Sequence, residues 1–206
     1  MVTWSRSGDG PEEAASKRSV DVANADEVNK AFDADADLLA SLDAVIVNAG
    51  ITRDGLAMRM SDEAWRDVLS TNLDGAFHVI RAALPTLLKR RQGSIVIVSS
   101  IAPFVGLPGQ ANYAASKAAL VGLGRSLASE VGRRGVTVNI VAPGLIDTDM
   151  TRNMGDSLEA ITPRIPLGRI GTPDDVAGLV EFLCSPAARY ITGAVIPVDG
   201  GLSMGL

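Results

Sequence analysis

Apolar residues along the chain fall into short β-branched runs and longer runs at helical spacing, and the two kinds alternate. Val2 to Trp4 is strand-like. A polar stretch from Ser5 to Lys17 follows, and Val20 to Val22 resumes strand character around Asp21. Asn24 to Leu39 reads as a helix, with Asn24 as cap and Glu27 at capping-box spacing. Asp43 to Val47 is a buried strand running into Asn48-Ala49-Gly50. A long helical region starts near Ser61, takes in Trp65, Val68 and Leu69, and continues from Ala76 to Arg91. Pro85 inside it predicts a kink or break.

Further on, Ile95 to Ser99 is a strand, Ala111 to Arg134 a helix, and Val136 to Ala142 a strand ending in Pro143-Gly144. Thr172-Pro173-Asp174-Asp175 starts a helix that runs to about Cys184: threonine caps, proline takes the first position, and two acids face the positive helix end. Ala194 to Val198 is a last strand before Gly200-Gly201. Apolar strands alternating with helices predict an α/β fold, a doubly wound parallel sheet covered on both faces. Ligands of such sheets bind beyond the carboxyl ends of the strands, where Asn48, Ser100 and Pro143 all fall.

Composition narrows the picture. The 206 residues, 47% of them apolar and 21% charged, are enough for one core, so residues 1–206 are read as a single domain. A net charge of −5 argues against a nucleic-acid surface or a polybasic membrane patch over the whole molecule. The one cysteine, Cys184, has no internal disulfide partner and sits in an apolar run, which fits a reducing cytoplasm. No apolar run approaches the ~20 residues of a membrane span, and the N-terminus lacks a signal-peptide pattern. The one histidine, His78, lies among Phe77, Val79 and Ile80 and reads as a packing residue, so neither a histidine triad nor a metal site is predicted.

Candidate chemistry concentrates between Ser100 and Lys117. Ser100 follows a strand, Gly106, Pro108 and Gly109 mark a turn, and Tyr113 and Lys117 stand four apart near a helix start, hence on one face. A free phenol has a pKa of about 10. An ammonium about 4 Å away, interacting by roughly 4 kcal/mol, lowers that by as much as roughly 3 units and brings the phenol into general-acid range. Ser100 can hold a carbonyl or alkoxide by hydrogen bond. A hydroxyl, a phenol and an ammonium therefore converge.

Asn48-Ala49-Gly50, Asn72, Ser100, Tyr113-x-x-x-Lys117 and Pro143-Gly144 together, in order and spacing, resemble the short-chain dehydrogenase/reductase family. Gly109 to Tyr113, Val141 to Met150 and the ending Val198 to Gly201 are similar to the members of that family that reduce 3-oxoacyl thioesters on acyl carrier protein in bacterial fatty-acid synthesis. The similarity covers about residues 20 to 206 and implies a Rossmann-like fold, NADPH as cofactor and a homo-oligomer, dimer or tetramer. By resemblance Tyr113 donates the proton, Ser100 orients the ketone, Lys117 lowers the tyrosine pKa and binds the nicotinamide ribose, and Asn72 holds a water linking Lys117 to solvent. Asn48, Ala49 and Gly50 line the adenosine side, Asp21 the adenine, and Ile146 and Thr148, after Pro143-Gly144, the nicotinamide carboxamide. Arg6 matches a residue that selects the 2'-phosphate, and Arg91 and Arg134 match residues that dock the carrier protein. Structural roles compete: Asn72 as a helix-kink residue, Asp21 as a turn acid, Arg6, Arg91 and Arg134 as solvated charge.

The family opens with a strand, a glycine-rich turn and a helix that holds the pyrophosphate. Here Gly8-Asp9-Gly10 lies beside Asp9, Glu12 and Glu13, which repel phosphate, so it reads as a loop and the sequence reads as starting at the family's second strand. The expected strand order is 3-2-1-4-5-6-7 with strand 1 absent, leaving an apolar gap or forcing strand 2 onto strand 4. Weak NADPH binding is the consequence. The alternative to a working reductase is a catalytically impaired subunit that serves only by oligomer formation.

Overall fold

The computed structural model describes residues 1–152 and 161–204. Two parallel sheets make its frame. In one, β1 (Val2–Ser5) pairs with β2 (Ser16–Ser19); in the other, β3 (Ala44–Val47), β4 (Gly93–Val98), β5 (Val136–Pro143) and β6 (Val195–Val198) follow one another in that order. Every adjacent pair is parallel, and in the four-stranded sheet this follows from apolar strands joined by helices. Among the described residues β1 and β3 are not paired, and Ile46 on β3 is 47% exposed.

Strand alternation sends the two faces of β4 and β5 into different cores. Ile95, Ile97, Val138 and Ile140 pack against α4 (Gly75–Arg90) and α6 (Ala111–Val131) through Ile80, Leu87, Leu120 and Leu127. Val96 and Val141 face α7 (Pro173–Cys184) through Leu183. Gly124 lets α6 approach closely, since a methyl group there would lie 2.7 Å from Ile140 Cδ1. Cys184, the last residue of α7, is half-buried, and burial pushes its thiol pKa up. No helix among the described residues is long and apolar enough to cross a membrane.

Four expectations need correcting. The second strand is Ser16–Ser19, not Val20 to Val22, because polar anchoring sets it rather than apolar alternation. Asp35 accepts hydrogen bonds from Ser16 Oγ (2.8 Å), Arg18 Nε (2.8 Å), Arg18 Nη2 (2.7 Å) and Trp4 Nε1 (3.0 Å), and Val20 follows as a core residue with Val28 and Ala31. Asp35 also divides the expected Asn24–Leu39 helix into α1 (Ala25–Ala34) and α2 (Ala36–Leu39). At its start Asn24 caps as expected, but Glu27 accepts from Asp21 N (2.9 Å) instead of closing the box on Asn24 N. Finally, Pro85 lies inside an unbroken α4; the interruption is a wide π turn at Ser70–Asp74, between α3 (Asp62–Leu69) and α4, with Asn72 within it.

The Arg18 hydrogen bonds hold the Asp35 carboxyl down to about 2, against burial, with Trp4 and Ser16 helping. Asp35→Ala leaves partners unsatisfied at a buried site, which costs about 2 kcal/mol, and lowers the melting temperature by about 5 °C. Because the folded pKa is depressed, the wild-type advantage is complete above about pH 4 and fades as pH falls towards 2. Thermal melts of both proteins from pH 7 to pH 2.5 check it.

Candidate active site

The carboxyl ends of β3, β4 and β5 lie side by side and release Asn48 to Gly50, Ser99 to Ile101, and Gly144 to Ile146. Pairing extends past the strands: Ser99 N donates to Val141 O (2.8 Å) and Ile101 N to Pro143 O (3.0 Å). Ser100 is half-buried, and its Oγ accepts from Ala102 N (3.0 Å) at the start of α5 (Ala102–Val105). With an acceptor site so used, the hydroxyl proton is free to donate.

Helix α6 is fastened to these strand ends at Lys117. Its Nζ donates to Val98 O (2.9 Å), and its carbonyl accepts from Ser99 Oγ (2.8 Å). The Lys117 residue is 4% exposed, and Nζ stands 5.7 Å from the centroid of the Tyr113 ring one turn earlier. Between the two, Ser116 donates to Tyr113 O (2.7 Å) and accepts from Asn72 Nδ2 (3.0 Å). Asn72 also donates to Ile51 O (3.1 Å) and accepts from Ile51 N (2.8 Å). Both of its amide protons are thus in use, so Asn72 stitches the Gly50-Ile51 turn to α6 rather than offering an amide proton to a water. Gly50 lies over this cluster: a methyl group there would sit 3.3 Å from both Asn72 Oδ1 and Lys117 Nζ.

Electrostatics depart from the simple pair picture. Burial pushes the Tyr113 phenol up from its ordinary value; the Ser100 hydroxyl pulls it back, and the Asp54 carboxylate adds to the rise. Burial lowers Lys117 to about 8. The expectation that Lys117 drags the phenol down therefore fails for the protein alone, because the ammonium is tied to Val98 O and desolvation dominates at the ring. Tyr113 keeps its proton at neutral pH, the state a proton donor requires.

Ser100 and Tyr113 line one cavity of about 100 Å³, walled by Ile101, Val105, Leu107, Leu145, Met150 and Leu202, with Asp54 and Gln110 also in its lining. The placement of Asp54 and Gln110 comes from three bonds: Gln110 Nε2 to Asp54 Oδ2 (3.0 Å), Gly55 N to Gly109 O (2.8 Å), and buried Asn112 Nδ2 to Arg53 O (2.9 Å). A hydroxyl and a protonated phenol at the end of an apolar cavity, with a buried ammonium behind, suit proton donation to a carbonyl oxygen.

Comparison with known proteins agrees with this geometry. A family model described as enoyl-(acyl carrier protein) reductase matches residues 7–203. The 3-oxoacyl-[acyl-carrier-protein] reductase FabG of Staphylococcus aureus is 49% identical over 184 residues, 89% of this chain and 75% of that protein. Its Vibrio cholerae counterpart is 45% identical over 187 residues, 90% and 77% of the two chains, and that of Escherichia coli 48% over 164 residues, 79% and 67%. The chain belongs to the short-chain dehydrogenase/reductase family.

Family membership implies a nicotinamide cofactor, and the chain's residues fit one end of it better than the other. Tyr113, Lys117, Asn48, Ala49, Gly50, Pro143, Gly144, Ile146 and Thr148 all gather at the carboxyl ends of the strands, with Asn48 and Ala49 exposed. The side chain of Ile146 packs against Gly171 and is 9% exposed, while Thr151 Oγ1 donates to Ile146 O and accepts from Thr148 N (3.0 Å). The Gly8 to Gly10 segment does not fit a pyrophosphate: the Arg6 to Ala15 connection between β1 and β2 has turns but no helix, and a methyl group on Gly10 would meet Thr3 Oγ1 at 2.2 Å. Arg6 and Asp21 are exposed; Asp21 Oδ1 accepts from Ala23 N (3.0 Å), the turn role.

The turn that carries Arg134 lies beside Arg91, away from the short-chain dehydrogenase/reductase site. Arg91, in left-handed conformation at the end of α4, donates through Nη2 to Arg133 O (3.4 Å), and Gly135 is required beside it, since a methyl group there would lie 2.5 Å from Arg91 O. This basic corner is at the amino end of β4, about 20 Å of strand from Ser100. His78 packs as expected, its Nδ1 3.0 Å from Val22 O.

Ser116 and Asp54 escape the sequence reading, and Gln110 and Asn112 enter it only within the Gly109 to Tyr113 stretch, with no role of their own. Position near Lys117, Tyr113 or Gly50 is their only individual signal, and polar residues at loop ends are too common to single out. Lys117→Met removes a buried ammonium held by one carbonyl and raises the melting temperature at pH 7 by a few degrees. The folded protein binds fewer protons than the unfolded chain between about pH 8 and 10.4, so wild-type stability rises across that window and the gap to the variant narrows. Melting curves from pH 7 to pH 10 test both the sign and the window.

Proposed function

We propose that this protein, as a single domain over residues 1–206, reduces a 3-oxoacyl thioester on acyl carrier protein to the 3-hydroxyacyl thioester, as the names of its relatives describe for them. The observation that carries this reading is the shared cavity: Ser100 and protonated Tyr113 meet at an apolar slot with Lys117 buried behind. Bound NADPH supplies the hydride. The chain's own residues do the rest. Ser100 donates a hydrogen bond to the ketone oxygen, Tyr113 delivers its proton to that oxygen as charge develops, and the Lys117 ammonium stabilises the phenolate left behind. Asn72 and Ser116 hold Tyr113 and Lys117 in register. Asn48, Ala49, Gly50, Pro143, Gly144, Ile146 and Thr148 hold the cofactor, with Asp21 at its adenine and Arg6 at its 2'-phosphate.

Arg91 and Arg134 receive the acidic carrier on the basic corner. The open edge of β6 and the exposed Tyr190 and Phe182 support a homo-oligomer, and the lone cysteine fits the cytoplasm. The helix-free Arg6 to Ala15 connection supports weakened cofactor binding, and with it a second reading, an impaired subunit that serves by association.

Acetoacetyl thioester and NADPH should give 3-hydroxybutyryl thioester, and Tyr113→Phe should lower kcat about 100-fold or more; an association-only subunit is indifferent to that change. In a fluorescence titration NADPH should half-saturate the chain above the low-micromolar range, and low-micromolar binding contradicts the weakened phosphate site. Reversing Arg91 and Arg134 to glutamate should raise KM for carrier-linked substrate while leaving KM for a small thioester in place.

A further inference from the structure

The lining of the Ser100–Tyr113 cavity is uneven in charge. Among the described residues that line it, Asp54 is the one charged side chain; the others are apolar, neutral polar or the phenol itself. Gln110 holds the Asp54 carboxylate through Nε2 at 3.0 Å, and the Gly55 N to Gly109 O bond keeps the Asp54 loop against the start of α6. Its charge is felt at the reacting group, since Asp54 contributes to the rise of the Tyr113 phenol. The Lys117 ammonium does not offset it for an incoming ligand: Lys117 is 4% exposed, behind the ring, and committed to Val98 O.

A 3-oxo acid and its ester or thioester share the same ketone. They differ two carbons away, where the free acid carries a carboxylate and the ester is neutral. A negative charge entering this apolar cavity beside Asp54 loses solvation and meets repulsion without a counter-ion. Resting on the ketone-reduction reading above, we propose that Asp54 is a specificity-determining residue, whose carboxylate turns away free 3-oxo acids and leaves the site to neutral 3-oxoacyl esters and thioesters. The enzyme thereby ignores the hydrolysis product of its own substrate.

Asp54→Asn is the informative variant, because the amide oxygen still accepts from Gln110 while the charge is gone. With NADPH, kcat/KM is measured for acetoacetate and for ethyl acetoacetate in both proteins. The acetoacetate-to-ester ratio should rise by about fivefold in Asp54→Asn, the size expected of one exposed charge at close range. The wild-type ratio should rise as salt is increased to about 0.5 M, where screening is strong. A ratio unchanged by the substitution overturns the proposal. Saturation-transfer NMR on the cofactor-free proteins separates this from failure of the reductase reading: the ester should receive saturation from both proteins and acetoacetate more from Asp54→Asn. If neither ligand is reduced but that NMR contrast appears, the specificity role stands and the catalytic reading falls; equal acetoacetate saturation from the two proteins overturns the specificity role.

Discussion

A buried ammonium bonded to the end of a strand is the constraint on which the rest of the site depends. Lys117 places a charge where the parallel sheet leaves its last β4 carbonyl, Val98 O, available, and the Lys117 carbonyl returns a bond to Ser99. That double fastening sets how far α6 slides along the sheet, and so where Tyr113, one turn earlier, meets Ser100. The cost is desolvation, visible in a lysine lowered to about 8. A fold optimised for stability alone would bury an apolar side chain at this point; the ammonium instead stands behind Tyr113, the phenol proposed above as the proton donor.

Around that fastening, two polar networks work at different ends of the molecule. Asn72, Ser116 and Ile51 hold the Gly50 turn to α6, and the π turn around Asn72 accommodates the carboxamide's reach. Asp35 gathers Trp4, Ser16 and Arg18, so that a two-stranded sheet with little apolar alternation keeps its register against α1. The two regions share Phe32 and Val79, which pack into both apolar clusters and couple the small sheet to the large one without strand pairing.

Most of the large sheet was legible, because β4 and β5 are buried on both faces and all four strands read as short apolar, β-branched runs. What defeated periodicity was polar anchoring. Nothing in Ser-Lys-Arg-Ser announces a strand until Asp35 is seen to bind it, and Pro85 looked like a break although the real interruption lay at Asn72, residues away on the same helical run. The convergence of Ser100, Tyr113 and Lys117 was legible from spacing at strand ends and on one helix face. The direction of the Tyr113 shift was not, since burial and the hydrogen bonds of Lys117 and Ser100 exist only in the fold. The pairing of Arg91 with the Arg133 turn was anticipated only as two helix ends; that they lie a strand's length from the phenol follows from parallel topology, which puts every amino end on one side.

The most direct test of this account is the ionisation of Lys117 itself. Nitrogen-detected NMR of the Nζ group in lysine-labelled protein, with Lys117→Met for assignment, follows its protonation from pH 6 to pH 11. A midpoint near 8 is the outcome required of an ammonium buried beneath Gly50 and held by Val98 O. A midpoint at the free-lysine value of about 10.4 would mean a solvated side chain, and the arrangement of Ser100, Tyr113 and Lys117 described here would not hold.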